Sequence, residues 1–192
     1  MFKKFRHPIR YSERYAYILD ILTRFVKGRL VRVAQAVGED YFILLELQPV
    51  EGVYIEVGER VYVGREMLRM KIEKILRTLN YSDLTLNAQA ELPKIIEKIV
   101  CENESRFVDF FNKSDLITIR LHKLSLIPGV GRKYLKLLLT ERKRRPFESF
   151  KDIEERTGFK NPKKAIVERI LKELREDEKY YLFVVKPKTL KL

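Results

Sequence analysis

The sequence predicts an α+β protein, with a small β-barrel or sandwich in its N-terminal part and an all-α domain after it. Three observations lead there. Up to about residue 80, short runs rich in branched and aromatic residues are separated by Gly, Pro and Asp. From Ser82 onward the apolar residues recur at spacings of three and four. Within that second part, Pro128-Gly129-Val130-Gly131 interrupts two apolar stripes as a tight turn between helices would.

Residues 1–14 are polar and basic, and Pro8 argues against regular structure there. Tyr15-Ala-Tyr-Ile-Leu-Asp-Ile-Leu22 has strand composition. After Gly28, Val31, Val33 and Val37 share one parity and Arg32 the other, as in a half-buried strand. Gly38-Glu39-Asp40 is a turn, Tyr41–Leu47 the returning strand, and Pro49 to Gly52 the next break. Val53, Ile55 and Val57 alternate with Tyr54 and Glu56, and Gly58-Glu59 turns into Arg60–Val63. Residues 66–79 fit helix or strand. Strand is preferred, because a barrel needs another one.

From Ser82 to Asn112 the period is helical, with Leu92, Ile95, Ile96, Ile99 and Val100 in one stripe that Phe107, Phe110 and Phe111 continue. Pro93 is expected to kink this helix or start a new one. Cys101 is expected to pack as a small apolar residue. Ile117, Leu121, Leu124 and Ile127 lie on one helical face, and Val130, Tyr134, Leu137 and Leu138 on another, so the two helices form a hairpin about the turn. Ser149 with Asp152 forms an N-cap, Gly158 ends that helix, and Asn161-Pro162 opens the last one, striped by Ile166, Ile170 and Leu174. This second hairpin lacks the Gly-x-Gly and is expected to bind phosphate poorly. Tyr180–Val185 is β-like and is expected to pack on the N-terminal sheet.

The hairpin turn has a chemistry. Gly129 and Gly131 can adopt conformations closed to other residues and leave no side chain in a ligand's way. The first N–H groups of the second helix and its dipole then favour an anion. Arg132 and Lys133 follow at once, and Lys133, Lys136, Thr140 and Arg144 share the face opposite the apolar one. The expected phosphate-binding residues are Pro128, Gly129, Val130, Gly131, Arg132, Lys133 and Lys136. Arg142, Lys143, Arg144 and Arg145 are either a backbone-contacting patch or a solvated helix C-cap.

Charge agrees with a polyanionic partner. The chain of 192 residues carries 40 Lys and Arg against 27 Asp and Glu, net +13. The excess sits in two blocks, residues 1–38 (nine basic, two acidic) and 117–192 (21 against ten), around an acidic spacer. High Lys, Arg and Glu with three Gln also fits a thermophile's ion-paired surface. No apolar run approaches the roughly 20 residues of a membrane span. The basic start has no apolar core behind it, unlike a signal peptide. One Cys excludes an internal disulfide and a Cys-based zinc site. The expectation is a soluble, cytoplasmic protein with no membrane partner.

No catalytic constellation is visible. His7 and His122 lie in different blocks, with His122 expected on a helix surface, and nothing matches a nucleotide fingerprint or zinc spacing. No cofactor, metal or catalytic residue is expected, so the protein is read as a non-enzyme. A second binding surface is the barrel face, where Tyr11, Tyr15, Tyr17, Tyr54 and Tyr62 mix with Arg14, Arg29, Arg32 and Lys71. Such a mixture can stack bases above a charged groove, or the rings can simply fill the barrel.

Leu124-Ser-Leu-Ile-Pro-Gly-Val-Gly-Arg-Lys-Tyr134 resembles the helix-hairpin-helix motif of DNA-repair and recombination proteins, with Tyr134 where a small residue is usual. Tyr15-Ala-Tyr, Val33-Ala-Gln-Ala-Val-Gly, Gly58-Glu-Arg-Val-Tyr-Val-Gly64, Leu121-His-Lys-Leu and Phe147-Glu-Ser-Phe together resemble an archaeal family of unknown function. That family is described as predicted RNA- or nucleic-acid-binding proteins. The resemblance implies an OB-like barrel and then a helix-hairpin-helix domain, and the β-like residues 180–185 are expected to complete the barrel. The expected domains are an arm and barrel over 1–80, a helical spacer over 81–116, the hairpin domain over 117–178 and a strand and tail over 179–192. The expected function is noncatalytic, largely sequence-nonspecific binding of nucleic acid, RNA before DNA. A protein-interaction scaffold and an accessory subunit of a nucleic-acid-processing enzyme are the alternatives.

Overall fold

The computed structural model describes residues 12–26, 28–176 and 178–186. The basic arm with His7 and Tyr11, and the tail after Lys186, lie outside the described residues. The chain divides into two compact units, one formed by residues up to Glu91 together with those from Phe183, the other by Leu92–Leu182.

In the first unit β1 (Tyr15–Val26), β2 (Arg29–Gly38), β3 (Leu44–Pro49), β4 (Arg60–Tyr62) and β5 (Ile72–Leu79) form one antiparallel sheet in the order β4-β1-β2-β3-β5. The run β4-β1-β2-β3 is a Greek key. Register shifts between Ile18 and Asp20, Glu46 and Leu47, and Gln48 and Pro49 bend the strands, and the sheet curls into a half-barrel. No ladder joins β4 to β5 among the described residues. Instead the Val50 N–H donates to the Lys71 carbonyl at 2.9 Å, and the Lys71 ammonium pairs with Glu59. Ala16, Ile18, Ala34, Ala36, Leu45, Leu47, Ile55 and Val61 fill the concave core, with Val185 packed against it. Polar Gln35, wholly buried, is satisfied: it donates to the Asp83 carbonyl at 2.9 Å and accepts from the Thr85 N–H at 2.8 Å.

Three expectations here need correction. The strand expected from Tyr41 starts only at Leu44, because the buried Glu13 carboxylate accepts the N–H groups of Asp40 (2.8 Å), Tyr41 (2.9 Å) and Ile43 (3.0 Å). Phe42 takes a left-handed conformation between them (φ 54°). Residues 53–57 form no ladder. The Arg32 guanidinium takes the carbonyls of Val53 and Ile55, each at 3.2 Å, and only Ile55 reaches the core. Residues 180–185 are not a strand. The Val185 N–H donates to the Tyr41 carbonyl at 3.1 Å. The ambiguous stretch from residue 66 is irregular through Met70 and becomes β5 from Ile72.

The boundary between the units falls within α1 (Leu86–Glu102), which continues through Pro93. The helical break comes instead at Asn103, before α2 (Glu104–Lys113). The stripe Leu92, Ile95, Ile96, Ile99 and Val100 is buried as its spacing predicts, but Cys101 lies off it and is exposed. The helix expected over 117–127 is absent. The β-branched Ile117-Thr118-Ile119 favours extended backbone, and β6 (Leu116–Thr118) pairs with β7 (Leu121–His122) in a small hairpin. Only a short 3-10 helix, Lys123–Leu126, precedes the glycine turn. His122 is buried rather than on a helix surface, and its Nδ1 accepts the Leu124 N–H at 3.1 Å. After the turn come α3 (Arg132–Arg144), α4 (Phe150–Thr157) and α5 (Pro162–Arg175). Ser149 Oγ caps α4 at the Asp152 N–H (3.0 Å), and Gly158 ends it at φ 69°.

Candidate nucleic-acid interface

The turn between the 3-10 helix and α3 is closed by Val130 N–H to the Ile127 carbonyl and Gly131 N–H to the Gly129 carbonyl, both 3.0 Å. Buried Val130 pins it from below, and Pro128 is half-buried. Gly129 has φ +81°, which favours glycine, and a Cβ there would crowd the Phe159 ring at 3.2 Å. Gly131 does not share that need. Its backbone is extended (φ −80°, ψ −178°), open to any residue, which corrects the expectation that both glycines adopt restricted conformations. What Gly131 offers is space: nothing lies within 4 Å of the position a Cβ would take.

Gly131 is the N-cap of α3 and supplies no side-chain cap, in contrast to Ser149 on α4. The N–H groups of Arg132, Lys133 and Tyr134 therefore have no partner within the helix and face an open approach. Arg132, Lys133 and Lys136 are exposed, and none forms an ion pair among the described residues. The Lys133 ammonium lies 5.6 Å over the Tyr134 ring, which in turn packs on Phe159 at 5.3 Å. At the second hairpin every nearby lysine has an acid: Lys160 with Glu154 at 3.2 Å, Lys163 with Glu97 at 2.9 Å, Lys164 with Glu168 at 3.9 Å.

The four basic residues ending α3 divide. Arg142 is half-buried and donates to the carbonyls of Phe111 (3.0 Å) and Ser114 (2.9 Å), closing the end of α2. Burial lowers its pKa. Arg145 pairs with Glu148 (3.1 Å) and Asp152 (3.2 Å), and Arg144 with Glu141 (2.8 Å). Lys143 is exposed and has no ion pair among the described residues. The cap of α3 is Arg156, a residue the sequence did not single out. It donates to the carbonyls of Glu141 (2.6 Å) and Arg145 (2.9 Å), stacks over Phe147 at 4.6 Å, and bonds Asp152 at 2.9 Å. Burial opposes ionisation of Asp152, but the Arg156 and Glu148 N–H bonds hold its carboxyl below the usual range. The spacing of Asp152 and Arg156 was the available signal.

The aromatic and basic residues expected to share a face of the first unit are not assembled as one surface. Tyr17 is in the core at 1% exposure. Arg32 holds the 53–55 segment, Lys71 is paired with Glu59, and the Tyr62 hydroxyl accepts the N–H groups of Glu66 and Met67, both at 3.0 Å. Tyr15 meets Tyr62 edge to face at 5.3 Å, and the Arg60 guanidinium lies 3.4 Å over the Tyr15 ring. Arg14 reaches Asp40 at 3.6 Å. Tyr54 and Arg29 stay exposed, with no side-chain hydrogen bond or ion pair among the described residues. Among the described residues no three His, Cys, Asp or Glu side chains are placed to hold a metal ion, and no helix is long and apolar enough to cross a membrane.

Comparison with known proteins gives a consistent placement. A curated relative, the uncharacterized protein MJ0038 of Methanocaldococcus jannaschii, is 44% identical over 186 residues, 95% of this chain and 84% of that protein. A crystal structure, Af1531 from Archaeoglobus fulgidus, superposes with a TM-score of 0.79 at 44% identity, covering 90% of this chain and 100% of that one. The family model for a protein of unknown function, DUF655, matches residues 12–185, and the chain belongs to that family.

Proposed function

We propose that this protein binds the phosphate backbone of nucleic acid without sequence specificity and without catalysing a reaction, with RNA preferred to DNA. One observation carries the reading: the uncapped N-terminus of α3, with open space over Gly131, is flanked by the unpaired Arg132, Lys133 and Lys136. Three free N–H groups, a helix dipole and three cations suit one phosphate and its neighbours, and they read charge rather than base identity. The short 3-10 helix, the turn and α3 stand in this reading as a helix-hairpin-helix whose first helix is reduced to one turn. The half-barrel stands as an OB-like platform offering Tyr54 and Arg29.

The test is a titration of single-stranded and duplex RNA and DNA by fluorescence anisotropy at several salt concentrations. Affinity should fall steeply with salt, and Lys133→Gln with Lys136→Gln should flatten the slope by about one for each lysine replaced. Salt-independent affinity, or none, refutes the reading. A second reading, a scaffold for a protein partner, rests on the exposed apolar side chains Phe25, Leu30, Met67, Leu68 and Met70 of the first unit. Pull-down that depends on those residues, with no nucleic-acid binding, would favour it.

A further inference from the structure

In the first unit the ribbon of β1 and β2 outruns the sheet around it. β3 pairs with β2 only from Ala34 to Val37, and β4 pairs with β1 only from Tyr15 to Tyr17. Among the described residues, 22–26 and 29–33 therefore pair only with each other. A ribbon of two strands is marginal in water unless something packs on one of its faces. Side chains alternate between those faces. Ala34 lies in the concave core and its partner Ile21 packs against that core, so Arg32, Thr23, Leu30 and Phe25 continue the same face outward. Burial stops there. Phe25 is 76% exposed, and Leu30, directly opposite it, 64%.

Arg32 ties a second ring to this arm. Its guanidinium donates to the carbonyls of Val53 and Ile55, which flank Tyr54, and Tyr54 is itself 72% exposed. The arm's charge has one sign: residues 22–33 include Arg24, Arg29 and Arg32 and no acid. Arg24 is paired with Glu46 at 3.3 Å, whereas Arg29 and Arg32 are exposed and form no ion pair among the described residues. A cleft of about 780 Å³ beside β2, lined by both, also holds Glu51 and Glu73. Glu73 is occupied by Lys74 (3.4 Å) and Gln48 (2.8 Å), so Glu51 alone opposes the two guanidiniums on that side. Exposed rings beside cations suit a ligand that joins flat apolar groups to negative charge. The bases of an unpaired strand on their phosphate backbone are that combination, whereas in a duplex the base faces are stacked on one another and closed to a side chain.

We propose that this arm binds single-stranded nucleic acid, with one base on Phe25 and Leu30, another on Tyr54, and the backbone beside Arg29 and Arg32. The inference rests on the reading above for the class of partner and adds the form that is selected. The glycine turn takes a phosphate of either form, while the arm favours strands whose bases are open. The two share no residue.

The experiment titrates the full chain with labelled uridine and thymidine decamers and with a blunt RNA duplex of the same length. The parent should prefer the single strands. Phe25→Ala and Tyr54→Ala should each weaken them about fivefold or more, with duplex affinity within about twofold. The Tm should not move, since both rings already stand in solvent. Neither variant should change the salt slope, which Lys133→Gln with Lys136→Gln flattens. The chain has no Trp, so Phe25→Trp puts one reporter at the tip. Single strands should quench its emission and the duplex should not, and the quench should persist in a chain that also carries Lys133→Gln and Lys136→Gln. The proposal is overturned if Phe25→Ala and Tyr54→Ala bind single strands as the parent does, or if the duplex quenches the reporter equally. It is overturned too if Phe25→Ala changes the sedimentation of the free protein, which would make the arm a contact between copies. Those outcomes leave the glycine turn untouched, and salt-independent binding with a quenched reporter would refute the turn while supporting the arm.

Discussion

The two glycines of the turn make opposite demands on a substitution. At Gly129 a methyl group meets both a left-handed backbone (φ +81°) and the Phe159 ring at 3.2 Å, so Gly129→Ala should lower stability by about 1–2 kcal/mol in urea unfolding. Gly131→Ala should leave stability within about 0.5 kcal/mol, since its backbone is extended and the space is open. A bulky Gly131→Leu should stay folded yet weaken every nucleic-acid sequence alike. Glu13 makes a different kind of residue-scale statement. Burial drives its carboxyl from an ordinary 4.5 to about 7, against the pull of the Ile43, Asp40 and Tyr41 N–H groups, and the Asp40 charge adds to the rise. Arg14 on Asp40 tempers that last effect. The folded protein thus holds a proton that the unfolded chain releases first. Its contribution is complete below pH 4.5, declines as pH rises, and is gone above pH 7. That span is worth on the order of 3 kcal/mol. Denaturation measured from about pH 4.5 to 7.5 should show the decline, and Glu13→Gln should flatten it.

At the scale of elements, the last helix anchors the site without touching a ligand. Arg169 and Glu173, one turn apart on α5 and at 2% and 0% exposure, pair at 2.7 Å. Arg169 also donates to the carbonyls of Tyr180 and, at 3.5 Å, Leu126, two residues before Pro128. Glu173 accepts the Leu182 N–H at 2.8 Å. One buried pair thus fixes the 3-10 helix before the turn and the segment after α5. Arg169→Met removes the buried cation that Glu173 pairs with, and should cost about 3–5 kcal/mol by urea unfolding, while adding Glu173→Leu should recover much of it. The helical stripes of α1, α4 and α5 were legible, because burial on one face imposes its own spacing. The segment 117–127 was not. Its Ile117, Leu121, Leu124 and Ile127 have helical spacing, yet the β-branched residues and the Leu116–His122 pairing turn it into a hairpin and one 3-10 turn. Spacing over so few residues does not distinguish these outcomes.

For the whole molecule, the net charge of +13 predicts long-range attraction to a polyanion, but the structure shows how little of it is free. At the second hairpin lysines meet acids, and of the run from Arg142 to Arg145 only Lys143 lacks a partner among the described residues. Binding should therefore follow local charge. Replacing Arg132, Lys133 and Lys136 by Gln should remove most of the affinity at about 0.1 M salt, roughly 1 kcal/mol or more per side chain, whereas Lys160→Gln should change it little. Sequence by itself determined the α+β class, the main sheet before the main helices, the cap at Ser149, the start of α5 at Pro162, and the position of the turn. These follow from local conformational preference and from the period of apolar residues, which are properties of neighbours in the chain. Tertiary structure alone decided which cations are neutralised, that Gly131 needs only space, and that Arg142 and Arg156 close helix ends. Each of these depends on groups distant in the chain meeting, or failing to meet, at hydrogen-bond distance, and no local pattern encodes that meeting.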